Sequence, residues 1–331
     1  MQLSVLDQSP ISRGATSRIA LKQTVRLAKI TEELGYTRFW VAEHHNTNGL
    51  ASSSPEVLLS HIASHTKSIR VGSGGILLPQ YSPYKVAENF QTLEALFPGR
   101  VDLGVGRSPG GSPVTRLALT DGNIRSLNEF PRQLRDLQGF VNGSLPKDHP
   151  YYQVRPTPIT EEKPEMWLLG ISHRGARLAA EIGTAFTYGH FISPADGQRA
   201  SELYFSSFRP SVSLKEPKMN VCIFVICADS QEEAERLAMS QDRWLLNVEK
   251  GLDTKIPSIE EAENATMNES DREKILHNRK RAIVGTPEKV KQELELLQEI
   301  YQTDEFMIIT NVHDFDAKVH SYELLAETLL K

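Results

Sequence analysis

Four short clusters hold the residues best suited to chemistry: Glu43-His44-His45, Gly74-Gly75, Gly106-Arg107-Ser108-Pro109-Gly110-Gly111 and Ser172-His173-Arg174-Gly175. An imidazole titrates near neutrality, so a histidine in the first cluster can serve as a general acid or base; a histidine bonded to backbone as a cap is the plainer reading. Zinc held by one strand needs His-x-His spacing, and the adjacent His44 and His45 point to opposite sides instead. Gly74-Gly75 lets a flat ligand approach the backbone, although a β-bulge would use the same pair. GVGRSPGG is not a dinucleotide loop, because the third glycine of GxGxxG falls at Pro109. It leaves exposed amides and Arg107, which suit a phosphate through parallel charge-assisted bonds. Ser172 precedes a helical pattern whose amino end offers free N–H groups to an anion. Two such loops on one rim point to a phosphorylated cofactor.

These clusters lie where strand patterns end. LSVLD (3–7), RFWVA (38–42), IRVGS (69–73), RVDLGVG (100–106), MWLLG (166–170), TAFTYGH (184–190), NVCIFVICA (220–228) and EFMIIT (305–310) read as strands. Helical patterns alternate with them near 20–34, 54–66, 83–97, 173–182, 195–208 and 230–248, and another opens at Thr286-Pro287-Glu288. Such alternation predicts a parallel sheet with right-handed crossovers, and eight strands predict closure into a (β/α)₈ TIM barrel spanning 1–331 as one domain. Functional residues of such barrels gather at the C-terminal strand ends. A polar, acid-rich insertion at 249–284, before the last strand, is expected to cap the mouth as a lid.

Composition narrows the function classes. With 39% hydrophobic and 24% charged residues, a net charge of −5 and no dense basic block, nothing suggests a nucleic-acid surface. No apolar run approaches the roughly 18 residues that span a bilayer, and the start lacks the basic and apolar regions of a signal peptide. Cys222 and Cys227, five apart on one strand, point to opposite faces and are expected to stay unpaired in a cytoplasmic protein.

WVAEHHNTNGLASSSPEVL (40–58), RVGSGGILLPQYSPYKVAENFQTLEALFPGRVDLGVGRSPG (70–110) and MWLLGISHRGARLAAEIG (166–183), with LSVLDQSPI, GTPEKV and DEFMIIT, carry a family resemblance over nearly the whole chain. The chain resembles the bacterial luciferase-like flavin-dependent monooxygenases, in their single-chain branch rather than the light-emitting two-subunit one. The resemblance implies a (β/α)₈ barrel that dimerises through early helices. It also implies reduced FMN delivered by a separate flavin reductase, with oxygen and a small organic substrate such as an aldehyde or other carbonyl compound. By motif match His44 is the catalytic base, and Gly74 and Gly75 form a non-prolyl cis peptide beneath the flavin ring. Arg107, Arg116, Ser172 and the amides around His173 and Gly175 bind the phosphate. Gly106 stands where the light emitters carry a reactive cysteine, Gly175 stands where a threonine is expected, and Arg125 competes with Arg116. Hydride transfer with the deazaflavin F420, non-catalytic flavin binding and a metal-dependent hydrolase are the alternatives.

Overall fold

The eight strands expected from the alternating pattern all form, in a computed structural model that describes residues 1–330. In chain order the first half holds β1 (Gln2–Asp7), α1 (Ser17–Glu33), β2 (Arg38–Val41), α2 (Pro55–Ser64), β3 (Arg70–Ser73), the short β4 (Ile76–Leu77), α3 (Pro83–Leu96), β5 (Val101–Gly106), α4 (Pro113–Leu119) and α5 (Phe130–Asn142). Then follow β6 (Glu165–Gly170), α6 (His173–Ile182), β7 (Ala185–Gly189), α7 (Gly197–Ser207), β8 (Met219–Cys227), α8 (Gln231–Glu249), α9 (Ile259–Glu263), α10 (Glu269–Arg279), β9 (Ala282–Gly285), α11 (Pro287–Tyr301), β10 (Glu305–Ile309) and α12 (Phe315–Leu329). Parallel pairing runs β10-β1-β2-β3-β5-β6-β7-β8, and β8 pairs with β10 to close the ring. Helix starts follow local chemistry. Proline occupies the first helical position of α2, α3, α4 and α11, and Ser112, Ser172 and Thr286 each accept an amide bond as N-caps.

Alternate residues of each strand turn into the barrel, giving stacked layers. The lowest layer is ionic. Arg38 bonds Asp102 and Glu305, each at 2.8 Å, Arg70 bonds Asp102 at 2.5 Å, and Lys218 bonds Glu165 at 2.9 Å. Burial alone would raise the Asp102 carboxyl, but the Arg38 and Arg70 charges bring it below the usual carboxylate range. Above this plug Trp40 and Trp167 meet edge to face with ring centres 5.4 Å apart. Gly72 makes room for them, since a Cβ there would stand 2.5 Å from Trp40 Nε1. Outward residues such as Val5, Phe39, Val41 and Val105 pack under the helices with Leu27, Ile62 and Phe90. Both cysteines are free and buried, Cys222 in the inner cluster and Cys227 in the outer one, as strand alternation requires.

The insertion is more structured than its polar sequence suggests, holding α9, α10 and β9. Its first part is strapped over the loops after β1 and β2. Ile256 exchanges backbone bonds with Ile11 and Arg13, Asn48 bonds Asp253 at 3.0 Å, and Thr254 lies 2.7 Å from Thr47. Trp244 of α8 donates to the Thr254 carbonyl at 3.0 Å. No helix among the described residues is long and apolar enough to cross a membrane.

The ionic layer generates a stability prediction. Asp102→Ala takes one carboxylate from the buried Arg38, which keeps Glu305, removes the carboxylate that Arg70 bonds, and leaves the Trp40 indole without its acceptor, so it should cost about 3–5 kcal/mol in chemical denaturation. Because the fold lowers the Asp102 pKa, that contribution is present at neutral pH and is lost on acidification. An unchanged denaturation midpoint at pH 7 would contradict the assignment.

Candidate active site at the barrel mouth

Strand alternation decides what the mouth contains. On β2, Trp40 and Ala42 belong to the inner cluster, so His44 also turns inward and Glu43 and His45 turn outward. The His44 backbone is fixed by donation to the Ser52 carbonyl at 2.9 Å, while its Nδ1 is buried with no hydrogen-bond partner among the described residues. Burial, reinforced by the neighbouring His45, pushes the His44 pKa down to about 4. This corrects the expectation of a base poised near neutrality. Unliganded, His44 is a neutral imidazole at pH 7.

Behind it, Glu43 is a carboxylate with 1% of its side chain exposed. It accepts from the Tyr81 hydroxyl at 2.5 Å and the Leu77 amide at 2.8 Å, and His45 Nε2 lies 2.7 Å away. Burial and this carboxylate together hold the Tyr81 hydroxyl far above its ordinary pKa. One buried group thus ties the end of β2 to the segment that follows Gly74-Gly75. The Gly74–Gly75 peptide is cis. A Cβ on Gly74 would meet Leu6 at 2.4 Å, whereas one on Gly106 would find nothing nearer than 4.0 Å. Open space therefore lies beside Gly106 at the end of β5. Thr187 and Asn311, inward on β7 and just past β10, each hold a buried oxygen without a partner. Phe191, Phe224 and Trp244 form an aromatic wall on the β8 side, with successive ring centres 5.3 and 6.4 Å apart.

The rim residues are distributed unevenly in role. Arg107 is exposed and pairs with no described residue. Arg116 instead braces its own loop, bonding the Gly110 carbonyl at 2.9 Å and the Gly111 carbonyl at 3.2 Å, and its rival Arg125 bonds the Tyr81 carbonyl at 2.8 Å. Ser172 caps α6 by accepting from the Gly175 amide at 3.5 Å. The His173 amide and Nδ1 both meet Asp196, at 2.6 and 2.8 Å, so a carboxylate already stands at this helix start. His44, Gly74-Gly75, Arg107 and Ser172 follow β2, β3, β5 and β6, neighbours in the ring. Sequence reasoning missed the roles of Glu43 and Tyr81, which sit 38 residues apart, and it missed Asp196 entirely. Only the polar character of Gln8, directly after a strand, hinted at its bond to Asn311.

Known proteins resemble this chain over nearly its whole length. The family model described as luciferase-like monooxygenase matches residues 1–304. A Bacillus subtilis (strain 168) protein, YceB, is 53% identical over 330 residues, covering 100% of both chains. N-acetyl-S-alkylcysteine monooxygenase of the same organism is 38% identical over 331 residues, covering 100% of this chain and 98% of the relative. The crystal structure of apo-MsnO8 superposes with a TM-score of 0.92 at 33% identity, covering 99% of this chain and 98% of that one.

The burial of His44 is directly measurable. NMR titration of the unliganded protein should show its imidazole neutral at pH 7 and protonating only near pH 4. The unfolded chain takes up that proton near 6.5, so stability should fall as pH drops from there towards 4, and His44→Gln should flatten part of the slope. A His44 pKa of 6.5 or above would contradict the desolvated setting.

Proposed function

Because the chain belongs to the luciferase-like monooxygenase family, we propose that it is an FMN-dependent monooxygenase acting with molecular oxygen on a small organic substrate. The observation that carries this reading is what the mouth gathers on neighbouring strand ends: open space beside Gly106, the cis Gly74–Gly75 peptide, and an inward-turned His44 with an unpartnered Nδ1. A flat ring with hydrogen-bonding atoms fits such a cradle. When bound in reduced form, FMN would supply the two electrons that let one oxygen atom enter the substrate while the other leaves as water.

The chain's own residues do the rest. His44 holds or releases a proton at its ring nitrogens, and its lowered pKa makes the protonated form a strong donor. Glu43, with Tyr81 and the Leu77 amide, ties the end of β2 to the segment after Gly74-Gly75, and the His44 amide bond to the Ser52 carbonyl fixes the backbone that carries the ring. Arg107 and the Ser172 hydroxyl take the phosphate, the His173 and Gly175 amides being spent on Asp196 and Ser172, while Arg116 shapes the loop through two neutral carbonyls and keeps its charge. The aromatic wall and the 253–256 strap exclude water from the mouth. Thioethers, by likeness to the relative named for N-acetyl-S-alkylcysteine, are the first substrates to assay, ahead of aldehydes and other carbonyl compounds.

The same reading makes the protein a cytoplasmic homodimer served by a separate flavin reductase. Val57 on α2 and Leu96 on α3 are 69% and 59% exposed, which suits a two-fold contact there, whereas Tyr84 and Phe97 pack on the chain's own core. Light scattering should find the dimer at micromolar concentration; a clean monomer would refute it.

Two titrations test the site. FMN should bind more tightly than riboflavin, and Arg107→Ala should erase most of the difference, since one charge-assisted bond is worth about 1.5–3 kcal/mol, or roughly 10- to 150-fold. An unchanged FMN-to-riboflavin ratio retires the phosphate role. His44→Ala should spare FMN binding and lower turnover by about 10²-fold or more; full activity in that variant would remove His44 from the chemistry.

A further inference from the structure

Between the ends of β10 and β1, two amide side chains meet inside the mouth. Asp7 faces outward, where Lys318 and Thr24 bond its carboxylate, so Gln8 turns inward. Met307 and Ile309 belong to the inner cluster, so Asn311 turns inward as well. Both are nearly sealed, at 6% and 1% exposure. Asn311 Nδ2 donates to Gln8 Oε1 at 2.8 Å, which spends one donor and one acceptor. Asn311 Oδ1 remains, buried and without a partner, and Gln8 Nε2 donates to no described residue.

An unpaired buried carbonyl oxygen is costly unless a ligand supplies the donor. Leu6 and Ile309, each two residues before one of the pair on the same inward face, belong to the apolar inner cluster, and the Asp7–Lys318 ion pair lies on the outer face of the strand. The pair thus offers one acceptor and one donor in an uncharged setting. A carboxylate has no donor for Asn311 Oδ1, and an alkyl group answers neither atom. A neutral edge with N–H and C=O on the same side answers both.

We propose that Gln8 and Asn311 form a recognition site for such an edge: an imide, lactam or primary amide. The proposal rests on the reading of the mouth as a flavin and substrate site. Two sources share the chemistry, namely the pyrimidine ring of the flavin and an amide group on the substrate.

The test titrates FMN and its N3-methyl derivative, which lacks the imide donor, against the wild type, Asn311→Leu and Gln8→Leu, following flavin fluorescence. In parallel, benzamide and benzoate are titrated against each protein with and without FMN, following tryptophan fluorescence. If the flavin is the source, N3-methylation weakens binding to the wild type about five- to 100-fold and has no effect on either variant. If the substrate is the source, FMN binds all three proteins alike, and a similar preference for benzamide over benzoate disappears in both variants. Thermal melts establish that each variant is folded, and either one alone decides the matter. A wild type that binds FMN, with flavin affinities and the benzamide-to-benzoate ratio unchanged in the variants, overturns the pair and leaves the flavin reading standing. A wild type blind to FMN overturns that reading, and the benzamide arm on the flavin-free protein still decides the pair.

Discussion

A strand closed into a barrel has one face turned to the axis and one to the surrounding helices, so neighbouring residues cannot share an environment. That constraint sorts the chemistry of this protein. His44 enters the mouth while Glu43 and His45 stay behind the wall, tied to Tyr81 and to the Leu77 amide. Asp7 joins Lys318 between α1 and α12, while Gln8 meets Asn311 inside. The charged partners end up outside the ring or in the ionic plug at its base, where Arg38, Arg70, Asp102 and Glu305 satisfy one another. The inward groups at the top are neutral and short of partners.

This division has an energetic logic. An imidazole deprived of water resists protonation, so burial alone biases His44 towards the neutral form, and the neighbouring His45 adds to the effect. The Glu43 side chain can be buried because the Leu77 amide and the Tyr81 hydroxyl both donate to it, with His45 Nε2 2.7 Å away. A mouth without its own fixed interior charge suits a reaction that must keep water out. The exposed Arg107, by contrast, stands on the rim, where its charge stays solvated without a desolvation cost.

Much of this was legible in the sequence because it depends on short-range pattern. The eight barrel strands, the caps at Ser172 and Thr286, the helix starts at Pro55 and Pro83 and the opposite faces of Cys222 and Cys227 all follow from period and local chemistry. The placement of His44 inside and His45 outside follows from adjacency. What escaped depends on contacts between distant segments. Tyr81 reaches Glu43 only after the chain turns back through β3 and β4, and Asp196 reaches the start of α6 from the loop after β7. The family resemblance assigns Arg116 to the phosphate, and its bonds to the Gly110 and Gly111 carbonyls could not be read from the sequence. The helices within the insertion were not legible because α9 and α10 are short and polar, with little apolar periodicity to reveal them.

The claim that the glycine-lined space holds the flavin ring can be tested by filling it. Gly106 is not in the left-handed region and a Cβ there meets nothing within ordinary contact distance, so Gly106→Val should fold normally while its methyl groups occupy the cradle. Fluorescence titration should then show FMN and riboflavin affinities falling together by about tenfold or more, the effect expected of overfilling a packed site, with the melting temperature unchanged. A Gly106→Val protein that binds both flavins as the wild type does would contradict the account.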